Sequence, residues 1–459
     1  MQRDRWILGT VSIAIAAVLL VYSQTQAFAW DEGFHLLAAR LIAAGKRPYQ
    51  DFLFAQTPLN AYWNALVMWI TGSGWRGPHA VSALETAGAA WLIADYVLRE
   101  TRLSIAITIA VFIGLNPVVV QFANIGQAYG LCMLLGAVAF RCSVAAVEGS
   151  AWFALGAGLA AGAAASSTLL TAPLGPVMFV WMAMQAGARR AAAFAAGAVI
   201  GLSPVIWYLA KAPRQFVFDV AGFHIYYRNV DWSDWGGHDV DILTGWVESA
   251  PGLLVVGLAI AGAIIGRKRR EVVLCAVAVG VWCLFLGTAH PTFPQYFIVA
   301  MPFAAVLASV ALQELHGRYP QDWPFALIVA LIISAAGRTV WGERSEMSWA
   351  TLAPVAKAVA DVTPPGTPLF ADEAVYLLTG NMPPSGMEWG SGHKIEIPLD
   401  KARPLHVLPQ SELDREVKRR DFPVLETCED TDLDRLGLNG LYVHKKQIGD
   451  CYVFWGLKD

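Results

Sequence analysis

About eleven apolar runs, each near the length that crosses a bilayer, fill most of the chain. They fall near 6–24, 77–98, 103–121, 126–146, 151–167, 170–187, 191–210, 244–266, 271–289, 295–314 and 323–341. The stretch SSTLLTAPLGP (166–176) reads either as a tight hairpin or as a re-entrant kink. Between the first two runs lies WDEGFHLLAARLIAAG (30–45), with Phe34, Leu37, Ala38 and Leu41 on one side and His35 and Arg40 on another. This spacing predicts an amphipathic helix that stops at Gly45 and is kept from resuming by Pro48. Such a helix is expected to lie along the membrane surface with its apolar side in lipid. A second outside loop, 211–243, interleaves Phe216, Phe218, Phe223, Tyr226, Tyr227, Trp232 and Trp235 with Arg214, Arg228, Asp231 and Asp234. That mixture suits an interfacial helix or a sugar-stacking surface.

From about 345 the pattern changes. Charged residues and proline become common, and no run is long enough to span. Helices are expected at 351–362, 373–378 and 411–421, and strands at 368–370, 423–427, 441–444 and 452–455. The fold class is therefore an all-α polytopic membrane protein, residues 1–344, carrying a soluble α/β domain, residues 345–459.

Basic residues set the orientation. With the N-terminus inside, Arg3 and Arg5, Arg99 and Arg102, Arg141, Arg189 and Arg190, the RKRR run at 267–270 and Arg318 all fall in inside loops. Residues 25–76, 211–243, the turn at His290 and the C-terminal domain then fall outside. The first apolar run follows two arginines, as in a signal peptide, but no small-residue cleavage site follows, so it reads as an uncleaved helix.

Composition agrees: 56% of residues are hydrophobic and only 15% charged, against about a quarter charged in soluble proteins. Eighteen Trp and 21 Phe fit interfacial aromatic belts. The net charge of −3 and the absence of a basic tract give no footing for nucleic acid. Phosphate-loop, dinucleotide, HExxH, paired CxxC and EF-hand patterns are all missing from the sequence. No cofactor is implied, and a divalent cation is left open without a motif to hold it. Cys132, Cys142, Cys275 and Cys283 read as core thiols. Cys428 and Cys451, the two in the soluble tail, are a disulfide candidate outside the membrane.

The candidate chemistry starts at Asp31-Glu32, adjacent carboxylates just where the first helix emerges. Both are expected at a wet surface, where substitutions cost little stability. Glu85 sits mid-helix, either as a functional carboxylate or as an acid bonded to a neighbouring hydroxyl. Asn124, Gln127 and Tyr129 cluster where the fourth helix begins, and Gln56 lies in an aromatic-rich turn. His290 and Tyr296 share another outside turn and form a plausible donor set for a phosphate at headgroup depth.

Taken together, these stretches resemble the GT-C superfamily of polytopic glycosyltransferases, and within it the protein O-mannosyltransferase and aminoarabinose transferase group. The resemblance rests on Asp31-Glu32, LLAARLIAAG (36–45), Pro48-Tyr49, Gln56-Thr57-Pro58-Leu59, and His290, Tyr296 and Pro302. One departure is that Asn124-Ile125-Gly126-Gln127 stands where some relatives have a second Asp. The resemblance implies sugar transfer from a polyprenyl-phosphate donor to a lipid, glycan or protein acceptor, on the outer face of a bacterial inner membrane. Asp31 would be the general base, with Glu32 orienting the acceptor or tuning its partner. His290, Arg76, Lys211 and Arg228, in that order, would meet the leaving phosphate. Tyr296, Gln56, Gln127 and Glu85 complete the expected substrate contacts. The competing readings are a transporter or flippase of lipid-linked sugars and a non-catalytic membrane scaffold.

Overall fold

The computed structural model describes residues 2–72, 74–231 and 236–458. Trp232, Asp234 and Trp235 of the second outside loop lie outside the described residues.

Every expected apolar run is helical, but not every one is a full span. Among the described residues, seven helices are long and apolar enough to cross a membrane: Gln2–Ser23, Arg76–Glu100, Tyr129–Glu148, Leu169–Ala186, Arg270–Gly287, Pro294–Arg318 and Trp323–Glu343. Two bent pairs raise the number to nine: Ala188–Gly201 with Ser203–Lys211 at 55°, and Gly237–Glu248 with Ala250–Ile265 at 79°. The other two runs give shorter helices, Leu103–Gly114 and Ala151–Ser167. The run expected at 103–121 is cut at Asn116-Pro117. There the Asn116 side chain accepts the Val118 N–H at 3.1 Å and starts a new, short helix. At Thr168 the chain turns through a short 3-10 segment, Leu169–Thr171, which makes 166–176 a kink between two helices. Small residues let helices touch: a Cβ on Gly158 would meet the Phe194 carbonyl at 1.9 Å. The 151–167 and 188–201 helices therefore pack backbone against backbone.

Beyond the bundle stands a four-stranded sheet, β1 (Leu369–Phe370), β2 (Val424–Thr427), β3 (Tyr442–Ile448) and β4 (Cys451–Leu457), in the order β1-β2-β4-β3. β1 and β2 are parallel, and the other pairs are antiparallel. A disulfide joins Cys428, just past β2, to Cys451 at the start of β4. One face of the sheet builds a local core from Phe370, Leu413, Val417, Phe422, Leu425, Tyr442 and Phe454. A second core is shared with the membrane part. Phe34, Leu37, Tyr49, Phe52, Phe216 and Phe223 pack there with Val355, Val359, Trp389 and Val453.

That shared core corrects two expectations. The Trp30–Ala43 helix does not float in lipid. Phe34, Leu37 and Leu41 are buried against the C-terminal part, while Leu36 and Ala39 pack with Trp349, Leu352, Ala374 and Leu377. A helix apolar nearly all round needs cover on more than one side. Its polar flank is covered too: Arg40 Nη1 donates to the Leu377 carbonyl at 2.7 Å. The aromatics of the second loop divide likewise, with Phe216 and Phe223 buried and Tyr226 left exposed.

The C-terminal part buries several carboxylates, which sets a pH dependence. Burial pushes Glu388 up from 4.5 to about 7, even though its Oε2 accepts the Gly386 N–H at 2.8 Å. Burial also raises Asp372 and Glu426. A carboxyl whose folded value is raised takes up a proton on folding. Its stabilisation is complete below about 4.5 and lost as pH rises through 7, on the order of 3 kcal/mol for Glu388. The thermal midpoint of Glu388→Gln relative to wild type in detergent should therefore rise from pH 5 to pH 8, a comparison in which the opposite trend of the buried His35 and His393 cancels. Glu388→Gln, which keeps an acceptor for Gly386, should recover most of its share at pH 8. Equal midpoints for the two proteins at pH 8 would contradict this.

Candidate active site

Asp31 and Glu32 occupy the first turn of the 30–43 helix, where the exposed N–H groups favour negative charge. Successive helical residues point about 100° apart, as follows from 3.6 residues per turn, and here the two carboxylates go to different worlds. Glu32 is fully buried. Its Oε1 meets His79 Nε2 at 2.5 Å and accepts the Gly126 N–H at 2.7 Å, and its Oε2 accepts the Trp349 indole N–H at 3.1 Å. His79 Nδ1 lies 2.5 Å from the Ser23 carbonyl. One side chain thus ties together the end of the first helix, the 76–100 helix, the 124–127 turn and the first helix of the C-terminal part. Gly126 has no room for a side chain, since a Cβ there would lie 2.4 Å from Leu36 and 3.2 Å from Glu32 Oε1. The expectation of a wet Glu32 facing an acceptor is corrected: its oxygens are taken up by the protein.

Asp31 is exposed, with protein packed closely around it. Burial raises it above the usual carboxylate range, and the charge of Lys394 draws it partly back. Tyr129, Tyr296 and Glu373 also lie within electrostatic reach of Asp31. Groups of the bundle, Tyr129 and Tyr296, and of the C-terminal part, Lys394 and Glu373, thus lie around Asp31.

Tyr296 carries the site onward, because it lies within reach of both Asp31 and Asp239. Asp239, on the Gly237–Glu248 helix, contacts His290 Nδ1 at 2.7 Å and accepts the Thr292 N–H at 2.8 Å. Arg228 Nε donates to the His290 carbonyl at 2.8 Å. His290, Tyr296 and Arg228 therefore belong to one neighbourhood with Asp31, with Asp239 as the organiser of the turn.

The remaining expected residues have other partners. Arg76 is exposed, stacks 4.5 Å over Trp75 and reaches Gln24 Oε1 at 3.4 Å. Lys211 lies 5.1 Å over the exposed Trp207 ring. Glu85 is bundle-facing and accepts the Trp63 indole N–H at 2.7 Å, an indole where a hydroxyl was expected. Gln56 is half-buried and its carbonyl accepts the Tyr49 hydroxyl at 2.6 Å. Gln127 and Asn124 are buried. Among the described residues, one group of potential metal donors comes together, Glu426 with Cys428 and Cys451, and its two sulfurs are bonded to each other.

A multi-pass helical bundle with an Asp-Glu pair after its first helix, and a small α/β part packed on the helix that carries the pair, define a polytopic membrane fold. Its fold is similar to that of ArnT from Cupriavidus metallidurans in the apo state, with a TM-score of 0.71 at 15% identity over 99% of this chain and 98% of that one. The same protein bound to undecaprenyl phosphate superposes with a TM-score of 0.68 over 98% and 97%. The archaeal oligosaccharyltransferase AglB from Archaeoglobus fulgidus, in complex with an inhibitory peptide and a dolichol-phosphate, matches with a TM-score of 0.53 at 12% identity, covering 94% of this chain and 70% of that one. No family model and no curated protein matches the sequence.

Sequence reasoning missed the partners that distant segments bring in: His79 and Trp349 at Glu32, Asp239 at His290, and Lys394 and Glu373 at Asp31. Within its own segment each reads as an ordinary helix-end or loop residue.

Proposed function

We propose that this chain transfers a sugar from a polyprenyl-phosphate-linked donor to a lipid, glycan or protein acceptor, with Asp31 as general base. The observation that carries the reading is the division of the carboxylate pair: Asp31 is exposed while the oxygens of Glu32 are taken up by the protein. The ligands named for proteins of this fold, undecaprenyl phosphate and a dolichol-phosphate, support the donor class. The acceptor hydroxyl attacks the anomeric carbon and passes its proton to Asp31. The bond from that carbon to the phosphate oxygen breaks, and its electron pair stays on the phosphate. In this reading Arg228, His290 and Tyr296 supply the donors that meet that charge as it develops. The basic loops support an N-terminus on the inside and the C-terminal part on the outside, in a bacterial inner membrane.

Proteoliposomes given a labelled polyprenyl-phosphate sugar test the reading directly. Label leaving the lipid phosphate for an acceptor supports it; unchanged donor moved between leaflets identifies a transporter. In the same assay His290→Ala should raise the donor KM about 10- to 100-fold, the effect of one lost charge-assisted hydrogen bond of roughly 1.5–3 kcal/mol, with acceptor KM little changed. An unaltered donor KM would remove His290 from the phosphate site.

A further inference from the structure

Two helix breaks meet at the end of the bundle that carries the His290 turn. The 103–121 run is cut at Asn116-Pro117, and the Gly237–Glu248 and Ala250–Ile265 helices join at 79° around Ser249. Both breaks line a cavity of about 400 Å³, within the range of about 300–1,000 Å³ usual for small-ligand sites. Its other walls are the late part of the Trp323–Glu343 span and Pro294.

Four of the side chains lining it have bonding capacity to spare. Arg338 and Asp241 are exposed, and neither side chain has an ion pair or hydrogen bond among the described residues. The buried indole N–H of Trp246 has no acceptor among them either, although the ring is held edge-on to Phe297 with 5.9 Å between centroids. Asn116 is buried and gives its side-chain oxygen to the Val118 N–H at 3.1 Å, while its amide nitrogen has no partner among the described residues. Buried donors without acceptors are costly and rare. Arg338 stands five residues before Glu343, the end of its helix, about 7.5 Å along the axis. Its head therefore reaches head-group level while its stem lies along apolar surface. A snorkelling arginine or a belt tryptophan would each be ordinary alone. Here a cation, an anion and two neutral donors face one cavity, and the two charges are not paired with each other.

We infer that this cavity binds the head group of a zwitterionic aminophospholipid, with the phosphodiester on Arg338, Trp246 and Asn116 and the primary ammonium on Asp241. The phosphodiester is an acceptor that takes charge-assisted bonds from a guanidinium, and the ammonium is a donor that needs a carboxylate. An acidic phospholipid would satisfy Arg338 and leave Asp241 without a cation. A free phosphate would do the same, and would leave unused the apolar surface that adjoins the cavity at the exposed Val247 and Val340. The Gly237–Glu248 helix also carries Asp239, which contacts His290 at 2.7 Å, so a lipid held there would brace the His290 turn. Binding at this cavity asks nothing of Asp31.

The test is native mass spectrometry of the full-length protein, delipidated in detergent and titrated with phosphatidylethanolamine or phosphatidylglycerol of identical acyl chains. The first phosphatidylethanolamine should bind wild type about 10-fold or more tighter than phosphatidylglycerol. Arg338→Met should weaken both lipids about 10- to 100-fold, because both present a phosphodiester and the variant loses a charge-assisted bond. Asp241→Asn should weaken phosphatidylethanolamine by about 10-fold or more and leave phosphatidylglycerol unweakened, a selectivity that general damage to the fold would not produce. Equal affinity of wild type for the two lipids overturns the inference, as does a phosphatidylethanolamine affinity unchanged in either variant. If Arg338→Met does not remain monodisperse, Asp241→Asn, at an exposed carboxylate, decides alone.

Discussion

Asp31→Asn should lower the rate of sugar transfer about 10²–10⁴-fold, the usual loss when a general base is removed. The substitution keeps size and shape and deletes the proton acceptor. Because the Asp31 side chain is exposed, the fold should hardly register the change. Donor KM should stay within a few-fold of wild type, since the substitution leaves His290, Tyr296 and Arg228 unchanged. The wild-type acid limb should stand above the ordinary Asp value of about 3.9, because burial raises the Asp31 carboxyl even with Lys394 beside it. Undiminished transfer by Asp31→Asn in reconstituted membranes would end its assignment as base.

Glu32→Ala should unfold what Asp31→Asn leaves intact. Removing this side chain strands the Gly126 N–H, the Trp349 indole N–H and the His79 ring in a place without water. Breaking such a buried charged contact costs about 3–5 kcal/mol. Glu32→Gln should fall between, because an amide offers one acceptor and sets its own N–H against one of those donors, at a cost of about 1–3 kcal/mol. The readouts are the thermal midpoint and the monodisperse fraction in detergent, taken beside Asp31→Asn. A Glu32→Ala protein as stable as wild type would show that this contact does not hold the C-terminal part to the bundle.

Much of the architecture was legible because it rests on local rules. Apolar run length marked the long helices of the bundle but not the Leu59–Thr71 helix, and Asn116-Pro117 and Ser203-Pro204 cut or bent runs that hydrophobicity alone would carry through. Gly45 has a φ of 87° just past the 30–43 helix, the positive value that a glycine at a helix end permits. The strands near 424 and 452 follow from short β-branched and aromatic stretches between turn residues. What was not legible depended on contact between distant segments. Leu36 and Ala39 look no different in sequence whether lipid or the Trp349 helix covers them. Asp31 and Glu32 are likewise equivalent in one dimension, and only the path of His79, Gly126 and Trp349 separates them. The Asn124–Gln127 turn, which carries no carboxylate, serves Glu32 through its backbone.

The most direct measurement compares a deletion strain with the same strain complemented by wild type or by Asp31→Asn, using lipid mass spectrometry alongside analysis of envelope glycans. A polyprenyl-phosphate-linked sugar should accumulate in the deletion strain, fall back with wild type and stay high with Asp31→Asn, while one envelope modification disappears and returns in step. A lipid-linked sugar pool unchanged by the deletion, or cleared equally well by Asp31→Asn, would contradict an Asp31-dependent glycosyltransferase.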